Sequence, residues 1–256
     1  MKRLVVGLLS AVALAAISSA QAADMPVKAP IAPVWSWTGF YVGANGGYSW
    51  GPWNNDGVTP SPKVDGWLGG IQAGYNWQLD KTWIVGLEGD IQVTGERAND
   101  DGSVATLIPF STDFHFILTQ TASNQWKFPW FGTFRGRLGG LVDPTLLLYA
   151  TGGLAVGEFE LSAQTTSTLQ RYLGTSSTTP SGAPVITTAA FDESITRVGW
   201  TVGAGVEKKL DRHWSAKFEY LYLDFGTHTF LSGTGWDTST RLRDHIVRFG
   251  LNYALN

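Results

Sequence analysis

The sequence predicts an all-β fold, an eight-stranded antiparallel up-and-down transmembrane β-barrel with long extracellular loops. Three observations carry this prediction. Eight stretches alternate apolar residues with small or polar ones, the period of a strand with one greasy face. The connectors between them are alternately long and very short, the rhythm of a barrel threaded up and down through a membrane. Finally, the chain opens with an export signal, and no later apolar run approaches the roughly 20 residues that a transmembrane helix needs.

The elements follow in order. Lys2 and Arg3 precede an apolar run at 4–17, and Ser18-Ser19-Ala20-Gln21-Ala22 ends in a small-x-small cleavage pattern, so 1–22 reads as a signal peptide. The segment 23–36 holds Pro26, Pro30 and Pro33 and reads as an extended periplasmic leader, either a plain spacer or a cell-wall contact. The barrel is expected over 37–256, with both termini on the periplasmic side.

Strands are expected at about 38–50, 66–79, 83–94, 130–142, 146–157, 194–207, 214–225 and 244–255. Each is long enough for a tilted strand to cross the hydrocarbon, about 9–11 residues. Short turns fall at 80–82, 143–145 and 208–213, and long loops at 51–65, 95–129, 158–193 and 226–243. Within the second loop, Phe110, Phe114, Phe116 and Leu118 alternate with polar residues, which hints at a hairpin continuing beyond the membrane.

A soluble eight-stranded barrel shows the same alternation with its faces reversed. Two features favour the membrane. The polar face carries Glu88, Asp90, Glu207 and Glu219 against Arg135, Arg137, Lys217 and Arg248, an equal match that an enclosed lumen requires because buried charge survives only when paired. The apolar face gathers aromatics near strand ends. Trp77, Trp83, Trp214 and Tyr253 lie at the short-turn end, and Tyr48, Trp50, Trp67, Trp130 and Tyr222 at the long-loop end. Two such girdles mark the two interfaces of an outer-membrane barrel.

Composition narrows the chemistry. With no cysteine, no disulfide or thiolate metal site can form. The net charge is −3, and more negative once Lys2 and Arg3 are removed, which argues against a nucleic-acid partner. The Gly-x-Gly pairs lie inside strands with no helix after them, so they are not nucleotide fingerprints. His213 falls in a periplasmic turn. Asp244 and His245 are adjacent on a strand and point to opposite faces, and Asp113 and His115 are poorly placed as partners, so no acid/base pair is set up for catalysis. His228, in the last loop, is a lone candidate for a haemin or metal contact.

Several segments resemble one family. Trp35-Ser-Trp-Thr-Gly-Phe-Tyr-Val-Gly-Ala-Asn-Gly-Gly-Tyr48 is similar to the opening strand of alphaproteobacterial outer-membrane β-barrel surface antigens, the porin-family or outer-membrane immunogenic proteins. So are the Pro-rich leader, Gly132-Thr-Phe-Arg-Gly-Arg-Leu-Gly139, Leu148-Tyr-Ala-Thr-Gly-Gly153, Gly199-Trp-Thr-Val-Gly-Ala-Gly-Val-Glu207 and Glu219-Tyr-Leu-Tyr-Leu-Asp-Phe-Gly226. The resemblance covers the signal and all eight strands, but not the long loops. It implies a barrel exposed at the cell surface with a structural, immunogenic or adhesive role, linked in some members to haemin. The chain departs at its end, where Leu255 stands in the place of a common Phe.

The functional expectation is an outer-membrane barrel with a structural and surface-interaction role, its lumen closed by paired charges. The alternatives are a small-solute porin, a surface barrel enzyme and a haemin binder. No cofactor is expected. The expected partners are outer-membrane lipid, lipopolysaccharide and the outer-membrane assembly machinery. No oligomeric state is assigned.

Overall fold

The computed structural model describes residues 36–55, 63–174, 178–233 and 238–255. The expected signal peptide, all of the leader but Ser36, and Asn256 lie outside them. The elements are β1 (Gly39–Pro52), β2 (Asn54–Asn55), β3 (Lys63–Gln78), β4 (Trp83–Pro109), β5 (Phe114–Asp143), β6 (Leu146–Leu173), β7 (Val185–Lys209), β8 (Trp214–Phe230) and β9 (Thr238–Ala254). β2 is a two-residue ribbon on β9. The other eight pair antiparallel with their sequence neighbours, and β1 pairs with β9 from Tyr41↔Ala254 to Trp50↔His245. The ring is thereby closed, and its eight staves agree with the expected up-and-down order.

Alternation sorts the two faces. Phe40, Ile71, Val93, Phe134 and Val198 stand exposed on the outside of the ring. In water each such side chain would forgo roughly 1.5–3 kcal/mol of burial, so a wall built of them belongs in hydrocarbon. The inward positions are buried and divide between polar or charged residues and apolar ones. Glycine on the inward face makes room for larger neighbours. A methyl group at Gly205 would sit 2.6 Å from the ring of Tyr149, and one at Gly74 would collide with Tyr41.

Three tight turns lie at one end of the ring, each built on an aspartate. Asp80 Oδ1 accepts the backbone N–H groups of Thr82 (2.6 Å) and Trp83 (2.7 Å). Asp143 Oδ1 accepts the N–H and the hydroxyl of Thr145, both at 2.7 Å. Asp211 Oδ1 accepts the N–H of His213 (2.8 Å) and of Trp214 (2.7 Å). These are Asx turns, in which the side chain replaces a backbone acceptor.

Two expected loops are largely strand, and the hairpin hinted at by Phe114, Phe116 and Leu118 is part of the first. β4 and β5 stay paired out to Pro109↔His115, and β6 and β7 out to Leu169↔Val185, so most of 95–129 and much of 158–193 is sheet. The ends of the first and fourth expected loops are strand as well. Alternation is weak in the outermost part, where both faces are exposed at 103–108 and 185–190, and the Ser, Thr and Gln that read as loop also suit a solvated strand. Bulges mark the change of environment. Register shifts fall at Val93/Glu96, Lys127/Trp130 and Asp224/Gly226, close to the long-loop aromatics Trp130 and Tyr222. A bulge bends its strand and increases local twist, which suits a rim.

Backbone hydrogen bonds from Trp214 and His213 hold the Asp211 carboxyl below its usual range. A carboxyl with a depressed folded pKa adds stability above its unfolded pKa of about 3.9 and loses it as pH falls through the folded value. Asp211→Ala is therefore expected to lower the urea midpoint of the folded barrel at neutral pH and to converge with wild type on acidification below that value. Unfolding followed by tryptophan fluorescence at both pH values checks this, and an equal gap at both would contradict it.

Candidate functional site: the barrel lumen

The lumen is filled in three strata. The middle stratum is ionic. Arg135 on β5 reaches Glu88 (2.5 Å) and Asp90 (2.9 Å) on β4 and, across the bore, Glu219 on β8 (3.0 Å). Arg248 on β9 meets Glu219 at 2.6 Å and Asp90 at 3.1 Å. Lys217 on β8 donates to both oxygens of Glu88 at 2.8 Å. Arg137 on β5 meets Glu207 on β7 at 2.6 Å and Glu88 at 3.7 Å. All eight charged positions named from the sequence thus lie in one connected cluster, and all are buried.

Neutral groups complete the cluster. Tyr41 donates to Glu88 (2.7 Å), Tyr149 to Glu219 (3.0 Å), Ser215 to Glu207 (2.6 Å) and Asn252 to Glu207 (2.8 Å). The Arg137 guanidinium lies 4.1 Å from the centre of the Tyr149 ring, a cation–π contact away from water. Four acids face four bases, so the charge balances. Satisfaction of donors is less complete. Arg137 Nε and Arg248 Nη1 are buried with no protein acceptor among the described residues. The guanidinium fork has five N–H groups, more than the carboxylates around it accept.

The other two strata are apolar and add to the paired charges expected to close the bore. Toward the long-loop end lies a core of Trp53, Val64, Leu68, Trp126, Phe128, Phe131, Phe159, Leu161, Leu221, Leu223, Phe225, Phe230, Leu242 and Ile246. Phe128 stacks on Phe159 with centroids 4.5 Å apart, and Trp126 meets Phe230 edge-on at 5.2 Å. At the turn end, Trp37 packs with Ile84, Leu147 and Tyr149 and donates its indole N–H to the carbonyl of Pro144 (3.2 Å). Sequence reasoning missed the upper core because Trp126, Phe128, Phe159 and Leu161 fell in expected loops. Its signal was present in Leu221, Leu223 and Phe225, three apolar residues at period two on the face otherwise read as polar.

Two further buried carboxylates were missed. Glu96 on β4 and Asp244 on β9 point inward, and Ser49 donates to Glu96. Among the described residues no cation lies within ion-pair distance of either, so they stand apart from the balanced cluster.

The aromatics named as girdles lie on the outer wall. Trp50, Trp67, Trp77, Trp83, Trp214 and Tyr253 are exposed, while Trp130 and Tyr222 are half-buried. Trp214 packs edge-on to Tyr253 at 5.1 Å near the turn end, and Trp50 stacks on His245 at 5.8 Å near the other. Trp130 donates to Glu158 (2.6 Å).

The histidines are dispersed. His115 Nδ1 pairs with the Gly174 carbonyl (2.6 Å), His245 Nδ1 with the Tyr220 hydroxyl (2.7 Å), and His228 Nε2 with Glu193 (3.3 Å). Among the described residues no group of three or more His, Asp or Glu is arranged to hold a metal.

Comparison with known proteins agrees with this architecture. The family model of the outer membrane protein beta-barrel domain matches residues 9–254, and the chain belongs to that family. It is an outer-membrane β-barrel. It is 33% identical to the 31 kDa outer-membrane immunogenic protein of Brucella melitensis, over 96% of this chain and 98% of that one. It is 32% identical to the 22 kDa outer membrane protein of Rhizobium leguminosarum, over 88% of this chain and 81% of that one. Solved structures that align with it include Neisserial surface protein A (12% identity, TM-score 0.37, covering 85% of this chain and 98% of that one). Another is OprG of Pseudomonas aeruginosa (12% identity, TM-score 0.38, covering 86% and 97%).

Removing one partner of a buried ion pair leaves a charge that water cannot reach, at a cost of about 3–5 kcal/mol. Arg135→Met, which deprives three carboxylates of a cation, is expected to destabilise the barrel by that order in urea titrations in lipid vesicles. A loss below about 1 kcal/mol, the range of exposed pairs, would mean that the cluster is solvated.

Proposed function

We propose that this protein is a closed-lumen barrel whose work is to span the outer membrane and present its extracellular strands and loops. One observation supports this above the rest. The ionic stratum lies between two apolar strata, and ion pairs such as Arg135–Glu219 cross the bore from β5 to β8. An eight-stranded barrel is only wide enough for side chains to fill. A solute would have to part both an ion cluster and a stacked aromatic core, which argues against the small-solute porin. The protein acts without a reaction of its own in this reading, since its histidines each engage a different partner. The haemin alternative gains no support from His228, which is half-buried against Glu193 and Phe230.

The purified barrel in a planar lipid bilayer is expected to show no regular conductance steps. Reproducible single-channel steps that change with Arg137→Ala or Phe128→Ala would overturn the closed-lumen reading.

Lipopolysaccharide is the proposed lipid partner. Lys63 and Arg97 are exposed on the outer wall beside Asp65, just past the girdle residue Trp67. Cations at that height suit the phosphates of an outer-leaflet glycolipid, as charge-assisted hydrogen bonds to phosphate do generally. Lys63→Glu with Arg97→Glu is expected to reduce lipopolysaccharide co-purifying with the detergent-extracted protein, with heat-modifiable mobility unchanged. Equal retention would count against the site. The assembly machinery is proposed to read β9, whose pairing with β1 closes the ring. The leader is proposed as a periplasmic spacer or cell-wall contact.

A further inference from the structure

β4 to β7 continue past the long-loop girdle as a sheet of their own. β3 leaves β4 beyond Asp65↔Arg97, and β8 meets β7 only from Trp200↔Asp224 inward. Above those points the four strands pair only with one another among the described residues. Among the described residues the result is a four-stranded sheet whose two edges, residues 98–109 of β4 and 185–192 of β7, pair with no further strand. The β7 edge ends at Glu193, which is engaged by the backbone N–H of Leu231 (2.6 Å) and by His228.

Soluble and surface proteins blunt such edges with lysine, proline or inward charge. These edges carry none of the three over their central spans. Residues 102–108 read Gly-Ser-Val-Ala-Thr-Leu-Ile and residues 185–191 read Val-Ile-Thr-Thr-Ala-Ala-Phe, both uncharged, proline-free and rich in β-branched residues. Val104, Leu107, Val185 and Ile186 are exposed. Thr106, Leu118, Leu169 and Val185 form one row across all four strands, but the next row sets Arg171 beside Ile108 and Phe116, so the face is mixed and the two edges are what set this sheet apart.

Membrane orientation selects the partner. Every copy inserts with its tight turns on the periplasmic side, so in every copy β4 rises and β7 descends. Between two copies in one membrane, β4 against β4 or β7 against β7 would be parallel. Only β4 of one against β7 of the other is antiparallel, the pairing used throughout this chain and the more stable one per residue. Reach is adequate. Strands leaving the bilayer at about 40° and continuing for roughly 12 residues of ~3.3 Å are carried on the order of 25 Å sideways, about the width of a small barrel.

We propose that the free β4 edge of one molecule pairs antiparallel with the free β7 edge of a second copy in the same membrane, extending the extracellular sheet across molecules. The contact is head-to-tail. It leaves one unused edge at each end, so copies join into rings or rows rather than a two-fold dimer. It rests on the shared membrane orientation and is independent of whether the lumen conducts.

The absence of native cysteine makes the test direct. Single cysteines are placed on the β4 edge (Ala105→Cys, Thr106→Cys, Leu107→Cys) and on the β7 edge (Thr187→Cys, Thr188→Cys, Ala189→Cys) of the full-length protein. β4 and β7 variants are co-expressed pairwise, and intact outer membranes are oxidised. At least one mixed pair is expected to yield several-fold more disulfide-linked dimer than either of its members alone. No mixed pair rising above its members, or β4 variants cross-linking equally well among themselves, would overturn the proposal. In a cross-linking pair, adding Val104→Lys is expected to remove most of the dimer while heat-modifiable mobility shows an intact barrel. An undiminished yield in that intact barrel would also overturn it.

Discussion

The constraint on which this structure depends is that hydrocarbon offers no hydrogen bonds. Every backbone N–H and C=O at membrane depth must be satisfied within the chain, and for strands the only complete solution is a ring. The ladder between β1 and β9 is therefore not one contact among many, since without it two strands would present unpaired edges to lipid. Ring closure with eight staves then sets the bore to about the width of facing side chains. What occupies that bore follows. Polar inward residues cannot be solvated by bulk water, so Glu88, Asp90, Glu207 and Glu219 are stable there only against Arg135, Arg137, Lys217 and Arg248.

The lumen is layered along its length. Ion pairs that cross the bore hold β4, β5, β7, β8 and β9 to one another at mid-depth. Toward the long-loop end the bore is packed as the interior of a soluble protein would be, with stacked Phe128 and Phe159 and edge-on Trp126 and Phe230. Trp37 packs at the turn end with Ile84 and Leu147. The strata are independent of one another in composition, ionic at mid-depth and apolar on either side.

Beyond the membrane the constraint relaxes. Water satisfies the outer side of an edge strand, so β4 and β7 can each run on with one neighbour only. The bulges near Val93, Trp130 and Gly226 lie where this change occurs. Among the described residues β4 to β7 are the strands that continue furthest beyond these bulges.

The sequence by itself determined the ring and its orientation. Strict alternation in segments such as 66–79 and 83–94, the short Asp-led turns and the two aromatic belts are local signals, and each depends only on which face of a strand a residue occupies. The eight lumen charges were legible for the same reason: parity along a strand assigns each to the inside. What only the tertiary structure decided involves residues far apart in the chain. Which acid meets which base depends on how the ring brings β5 opposite β8. The upper aromatic core depends on strands continuing through regions whose Ser, Thr and Gln content read as loop, where the short inward stripes Trp126/Phe128 and Phe159/Leu161 were masked by polar neighbours. The free edges of β4 and β7 were invisible for a deeper reason. An unpaired edge is a property of what lies beside a strand, and no residue in the strand itself records which neighbour has departed.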